Sequence, residues 1–188
     1  FGGDGYSSEW HRIAVEERGL KNIPTTADAL PALREESVVK LFDSTGVLSP
    51  VELESRFEVY AEQYVLSIEV EAKLVIDMTK TMIYPAAIEY LSKLSSTAAS
   101  LTTIGVELDN SAAKSVAGHA NAMMATAKEL GEALEQEGFA STEEHMQFCA
   151  TKLRSLMDKV RSHADALEAE VADELWPLPK YQEMLYIK

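Results

Sequence analysis

The chain is short of the features that define several protein classes. Cys149 is its one cysteine in 188 residues, which excludes an internal disulfide framework and fits a reducing, cytoplasmic setting. Positive charge is scarce: 17 Lys and Arg stand against 31 Asp and Glu, for a formal net charge of −14. Nucleic-acid binders need clustered positive charge, so DNA or RNA is excluded as the main partner. The same deficit argues against docking on anionic membrane surfaces. No apolar run approaches the roughly 20 residues that a membrane-spanning helix needs. Proline and glycine are few, at 6 and 9, which favours long helices over a turn-rich fold. The opening Phe1-Gly2-Gly3-Asp4-Gly5 has none of the basic and apolar regions of a signal peptide. It is expected to belong to a chain cut from a longer protein.

What remains is helical texture. Ser7 or Ser8 opens a short helix that runs to about Arg18, and Gly19 stops it. Thr25 and Asp28 start a second short segment, Ala27 to Leu33, which Pro31 makes irregular. A third helix spans Glu35 to Ser44, with Val38, Leu41 and Phe42 as its apolar face and Gly46 as its stop. Ser49-Pro50-Val51-Glu52 then forms a complete helix entrance. Behind it Leu53, Phe57, Tyr60, Tyr64 and Ile68 recur at helical spacing, followed by Val75, Met78, Met82, Leu91, Leu94, Ala98 and Leu101. This predicts a helix of about 53 residues, roughly 80 Å long, ending at Gly105. Pro85 is expected to kink or divide it near Tyr84.

Asp109 or Ser111 opens the next helix, whose row is Ala113, Val116, Ala120, Met123, Ala127, Leu130 and Leu134, closed by Gly138. Ser141-Thr142-Glu143-Glu144 caps another, with Met146, Ala150, Leu153, Met157, Val160, Ala164, Leu167 and Val171 as its row. The short connection between 110–137 and 141–175 predicts antiparallel pairing, with the first long helix as the third member of a bundle. The fold class expected is all-α. Its segments are 1–48 with short helices, 49–175 as a long-helix bundle, and 176–188 as a packing tail. In that tail Trp176, Leu178, Tyr181, Leu185 and Tyr186 are expected to bury against the short N-terminal helices or the base of the first long helix.

Chemistry is sparse. His11, His119, His145 and His163 form neither His-Glu-x-x-His nor Glu-x-x-His, which excludes the di-iron bundle pattern. His163, beside the apolar row, reads as a flanking histidine with a hydrogen-bonded partner. Glu54, Glu58 and Glu62 at i, i+4, and Glu69 beside Glu71, read as an acidic helix face rather than a metal site. The opening glycines lack the lysine and Ser/Thr of a phosphate loop and read as a tight turn. Cys149 reads as a buried inert thiol at the bundle edge, with Lys152 nearby. Met123, Met124, Met146 and Met157 are packing residues. No catalytic, cofactor-binding or metal-ligating residue is assigned.

Several stretches together resemble the C-terminal region of type III glutamine synthetase. They begin with Gly3-Asp4-Gly5-Tyr6-Ser7, Glu9-Trp10 and Arg18-Gly19-Leu20. Thr25-Thr26-Ala27-Asp28-Ala29-Leu30-Pro31, Leu41-Phe42, Gly46-Val47-Leu48-Ser49 and Glu52-Leu53-Glu54-Ser55-Arg56 follow. Glu69-Val70-Glu71-Ala72, Pro85-Ala86 and Trp176-Pro177-Leu178-Pro179-Lys180-Tyr181 complete the set. Between Ser95 and Ala140 the likeness is in helical character alone. The resemblance implies an upstream β-rich catalytic domain that makes glutamine from glutamate and ammonia, using ATP with Mg²⁺ or Mn²⁺. It also implies stacked hexameric rings as the homo-oligomer. None of that family's metal ligands or substrate arginines has a counterpart here, so this segment alone is expected to be inactive. The alternative reading is a free-standing acidic helical protein-interaction module.

Overall fold

In the computed structural model, residues 2–185 are described, with Tyr181 and Gln182 described by their backbone alone. The described residues contain helices and no strand. Helix α1 covers 8–17, an α-helical Ser8–Arg12 running into a π-helical Ile13–Glu17. Helix α2 covers 26–34, as Thr26–Ala29 followed by a 3-10 segment Leu30–Arg34 that carries Pro31. Helix α3 is Glu36–Ser44. Helix α4 runs through 50–103 as Pro50–Met78, a π-helical turn Thr79–Ile83, and Tyr84–Thr103. Helix α5 is Ser111–Leu134. Helix α6 runs through 142–170, with its own π-helical turn Cys149–Leu153. A 3-10 turn Asp173–Leu175 precedes the short α7, Tyr181–Leu185. No helix among the described residues is long and apolar enough to cross a membrane.

The helix starts follow from local chemistry. Ser49 N–H donates to Glu52 Oε2 at 2.8 Å, while Glu52 N–H reaches Ser49 Oγ at 3.4 Å. Ala140 N–H donates to Glu144 Oε2 at 2.7 Å, and Glu144 N–H to Ser141 Oγ at 3.1 Å. Each cap satisfies donors that a helix N-terminus otherwise leaves open. Gly105 closes α4 with φ of 78°, while Val106 N–H donates to the Leu101 carbonyl at 3.0 Å. That closing bond needs a left-handed residue, which glycine supplies without strain.

Pro85 was expected to kink or divide α4, and the helix runs on undivided. The π-helical turn Thr79–Ile83 lies immediately before it, with Tyr84 N–H bonded to the Thr79 carbonyl. The wider turn gives the proline ring and the missing donor a place that a regular α-turn lacks.

The chain forms two compact units, the residues up to 65 together with 140–147, and 66–139 together with the residues from 148 onward. The first buries Ala27, Leu53, Phe57, Ala61, Val65 and Met146. Gln147 Nε2 joins its sequence-distant parts by donating to the Ala27 carbonyl at 3.1 Å. Tyr60, read as a core residue, is 44% exposed, and Ala61 beside it is fully buried. Leu41, read as part of the α3 apolar face, is likewise exposed.

The second unit is built on the antiparallel pair α5–α6. Ser115, His119 and Glu129 contact Glu170, His163 and Lys152 in turn, so rising numbers on α5 meet falling numbers on α6. Val116, Ala120, Met123, Ala127, Val160, Ala164 and Leu167 share one core with Ile83 and Ala87 of α4. The buried alanines let the backbones approach closely, as the row spacing predicts.

Trp176 joins the same core and Leu178 packs against it. This corrects the expected docking place of the tail, since the partners are the middle of α4 and the end of α6. The chain leaves α6 at Val171 in an extended conformation and turns at once, so its first large side chain reaches the nearest apolar surface. Leu185, expected to be buried, is 77% exposed. The side chain of Tyr181, and all of Tyr186, lie outside the described residues.

Candidate functional site

Two acidic residues of α4, Glu54 and Glu58, gather around one cation, while Glu62, Glu69 and Glu71 of the same predicted face are not among its partners. Arg34, at the end of α2, donates from Nε to Glu54 Oε2 at 2.9 Å and from Nη2 to Glu58 Oε1 at 2.5 Å. Its Nη1 donates to Glu143 at 3.3 Å. The guanidinium carbon lies 3.6 Å from the centre of the Phe57 ring, so the charge also rests on a buried aromatic face. Arg34 and Glu54 hold each other charged: the bond from Arg34 lowers the Glu54 carboxyl and raises the guanidinium. Chemically this is a tether. The carboxylates that the sequence shows as a ladder on α4 are partly neutralised by an arginine from a different helix.

Because the Glu54 carboxyl is lowered in the folded state, its contribution is present above the ordinary carboxylate range and is lost as pH falls through its folded value. The groups are half exposed, so the effect is modest. Arg34→Gln is expected to cost about 1 kcal/mol at neutral pH. The difference from the native chain should shrink below about pH 4, where the carboxylates protonate. Chemical denaturation across pH measures it, and a cost that grows on acidification would refute the arrangement.

Cys149 is fully buried, in the core rather than at the bundle edge. Burial first, and the charge of Glu69 second, push its thiol up to about 11. A thiolate is the reactive form, so Cys149 is a poor nucleophile. At pH 8 a thiol reagent is expected to modify it at least about 100-fold more slowly in the folded chain than in denaturant. Comparable rates would show that the site is open.

The opening glycines form the tight turn expected. Tyr6 N–H donates to Asp4 Oδ1 at 2.9 Å and Ser7 Oγ to the Asp4 carbonyl at 2.7 Å. Phe1 lies outside the described residues.

His163 has the hydrogen-bonded partner expected of it, and that partner is His119, with the two Nδ1 atoms 3.1 Å apart. No local spacing relates the two histidines, which stand 44 residues apart in the chain. A signal was present: each immediately precedes a core alanine, Ala120 or Ala164, and so occupies the same edge of its helix.

A cavity of about 290 Å³ lies where the end of α4 meets the start of α5, lined by Leu94, Ala98, Leu108, Asp109 and Ala113 among others. It is largely apolar, and its one carboxylate, Asp109, is engaged by the Ser111 hydroxyl at 2.7 Å. Among the described residues no group of three or more His, Cys, Asp or Glu side chains could hold a metal ion. Glu54, Glu58 and Glu143 converge instead on Arg34.

A family model described as the glutamine synthetase C-terminal domain matches residues 1–102. A type-3 glutamine synthetase of Dictyostelium discoideum is 33% identical over 200 residues, covering 100% of this chain. A glutamine synthetase of Bacteroides fragilis is 28% identical over 197 residues, and one of Butyrivibrio fibrisolvens 26% over 194. The chain spans 27% of the length of each of these curated relatives.

Proposed function

Because the chain belongs to the glutamine synthetase C-terminal domain family, we propose that it is the noncatalytic helical end of a type III glutamine synthetase, serving packing, assembly or regulation. The whole enzyme would join ammonia to glutamate with ATP, using Mg²⁺ or Mn²⁺ held in an upstream catalytic domain. It would work in the cytoplasm as stacked hexameric rings. Within the chain, 1–48 would continue from the catalytic domain, 49–175 would be the bundle, and 176–188 the packing tail.

One observation carries the packing role. Leu66, Val70 and Leu74 on α4 are 62%, 64% and 54% exposed. Their spacing of four puts them in one row on the helix surface. The opposite side, with Ile68 and Ala72, is already buried. A helix with a core face and a second apolar row is suited to a second contact, which in this reading is another part of the enzyme assembly.

Polar replacement of the row, Leu66→Gln with Val70→Gln and Leu74→Gln, is expected to leave the helix content of the chain unchanged, because these side chains are not in its core. In the whole enzyme it should shift sedimentation toward smaller species. Unaltered sedimentation and activity would remove the row from the assembly.

A further inference from the structure

We propose that His119 and His163 form a two-histidine chelate for a borderline first-row divalent cation, of the class of Zn²⁺, Ni²⁺ or Cu²⁺, that clips α5 to α6. The Nδ1 atoms lie 3.1 Å apart. Two imidazole nitrogens each about 2.0–2.1 Å from one metal are separated by roughly 2.9 Å at a right angle and roughly 3.4 Å at a tetrahedral angle. The observed separation falls between these values. The ring centroids are 5.4 Å apart and the planes are inclined by 51°. In the hydrogen bond one Nδ1 carries the proton and the other accepts it. With the donor imidazole in its Nε2–H tautomer, both Nδ1 lone pairs are free, and a rotation about each side chain would turn them toward a common point beside the seam.

The surroundings suit such a site. Both histidines are partly exposed, which gives an ion an entry path. Ala120 and Ala164, the next residues on each helix, are buried and small, which keeps the backbones close and the pair aligned. About one helical turn from His119 along α5, Ser115 Oγ donates to Glu170 Oε1 at 2.7 Å. The other oxygen, Glu170 Oε2, is buried without a hydrogen-bond partner. It is an unsatisfied buried acceptor on the same α5–α6 seam. Among the described residues no third His, Cys, Asp or Glu side chain completes the set, and water would fill the remaining positions. Imidazole selects Cu²⁺, Ni²⁺ and Zn²⁺ over Mg²⁺, which prefers oxygen ligands.

The test uses the intact protein in excess Mg²⁺, which keeps hard-ligand sites filled, titrated with Cu²⁺ by calorimetry and electron paramagnetic resonance. One Cu²⁺ per chain with two coordinated imidazole nitrogens is expected. His119→Gln and His163→Gln should each weaken that binding by about tenfold or more, since the second ligand no longer acts at high effective concentration. His11→Gln, in α1, should leave it unchanged. Circular dichroism of each variant establishes that the helices persist. A spectrum without paired imidazole nitrogens in the native protein would overturn the proposal. So would binding that survives unchanged in either seam variant.

Discussion

A chain ending after Leu175 is expected to lose about 3–5 kcal/mol of stability, the range for deleting a large buried aromatic. Trp176 sits in a core with Ile83, Ala87, Val160, Ala164, Leu167 and Val171, and Leu178 packs on the same surface. Removing them opens that core to water on the side where α4 meets α6. The ion pair between Lys180 and Asp173, at 2.7 Å with Asp173 largely exposed, contributes little beside this. Two controls locate the effect. Trp176→Ala should reproduce most of the loss. A chain ending after Pro179 keeps Trp176 and Leu178, and should lie within about 1 kcal/mol of the intact chain. Denaturant melts of the three variants decide it. An unchanged midpoint in the shortest chain would mean that the indole is not part of the core.

Phe57→Ala is expected to cost about 3–5 kcal/mol, through lost burial and the cavity left behind. Phe57 is fully buried, and its ring is also the surface on which the Arg34 guanidinium rests at 3.6 Å. The substitution therefore removes an apolar side chain and loosens the cation that holds Glu54, Glu58 and Glu143 together. The two effects share a partner and should not add independently. In a double-mutant cycle, Arg34→Gln should cost less in the Phe57→Ala background than in the native chain. Additive costs would separate the ring from the charge cluster.

Much of the fold was legible because helix boundaries are local. Ser49 with Glu52, Ser141 with Glu144, and Thr25 with Asp28 announce their caps within four residues. The row on α5 repeats cleanly, and five of its seven residues are buried. What was not legible depends on distance or register. On α4, Tyr60 and Ala61 both continue the row from Phe57, one at i+3 and one at i+4. Hydrophobicity selects the tyrosine, whereas packing buries the alanine. On α6 two adjacent rows share Met146, Leu153 and Val160. The sequence favoured Ala150 and Met157, and the structure buries Cys149 and Leu156. Periodicity does not choose between faces one residue apart.

The side-chain constellations were still less accessible. Arg34 finds Glu143 across 109 residues, and His119 finds His163 across 44. Neither spacing belongs to a local motif. The tail position was missed for a related reason. An apolar run states that it needs cover, while the covering surface depends on where the chain leaves α6. The family, by contrast, was legible from short stretches that carry specific residue orders, and residues 1–102 hold most of them.

On the function proposed above, the chemistry of glutamine synthesis would lie outside these 188 residues. The most direct test is ADP release by the purified chain, supplied with ATP, glutamate, ammonium and either Mg²⁺ or Mn²⁺. A cooperative thermal melt of the helical circular-dichroism signal in the same sample shows that the chain is folded. The account predicts a folded chain with ADP release no faster than the enzyme-free blank at any metal concentration. Glutamate-dependent ADP release that co-purifies with the chain and disappears with its melt would contradict it.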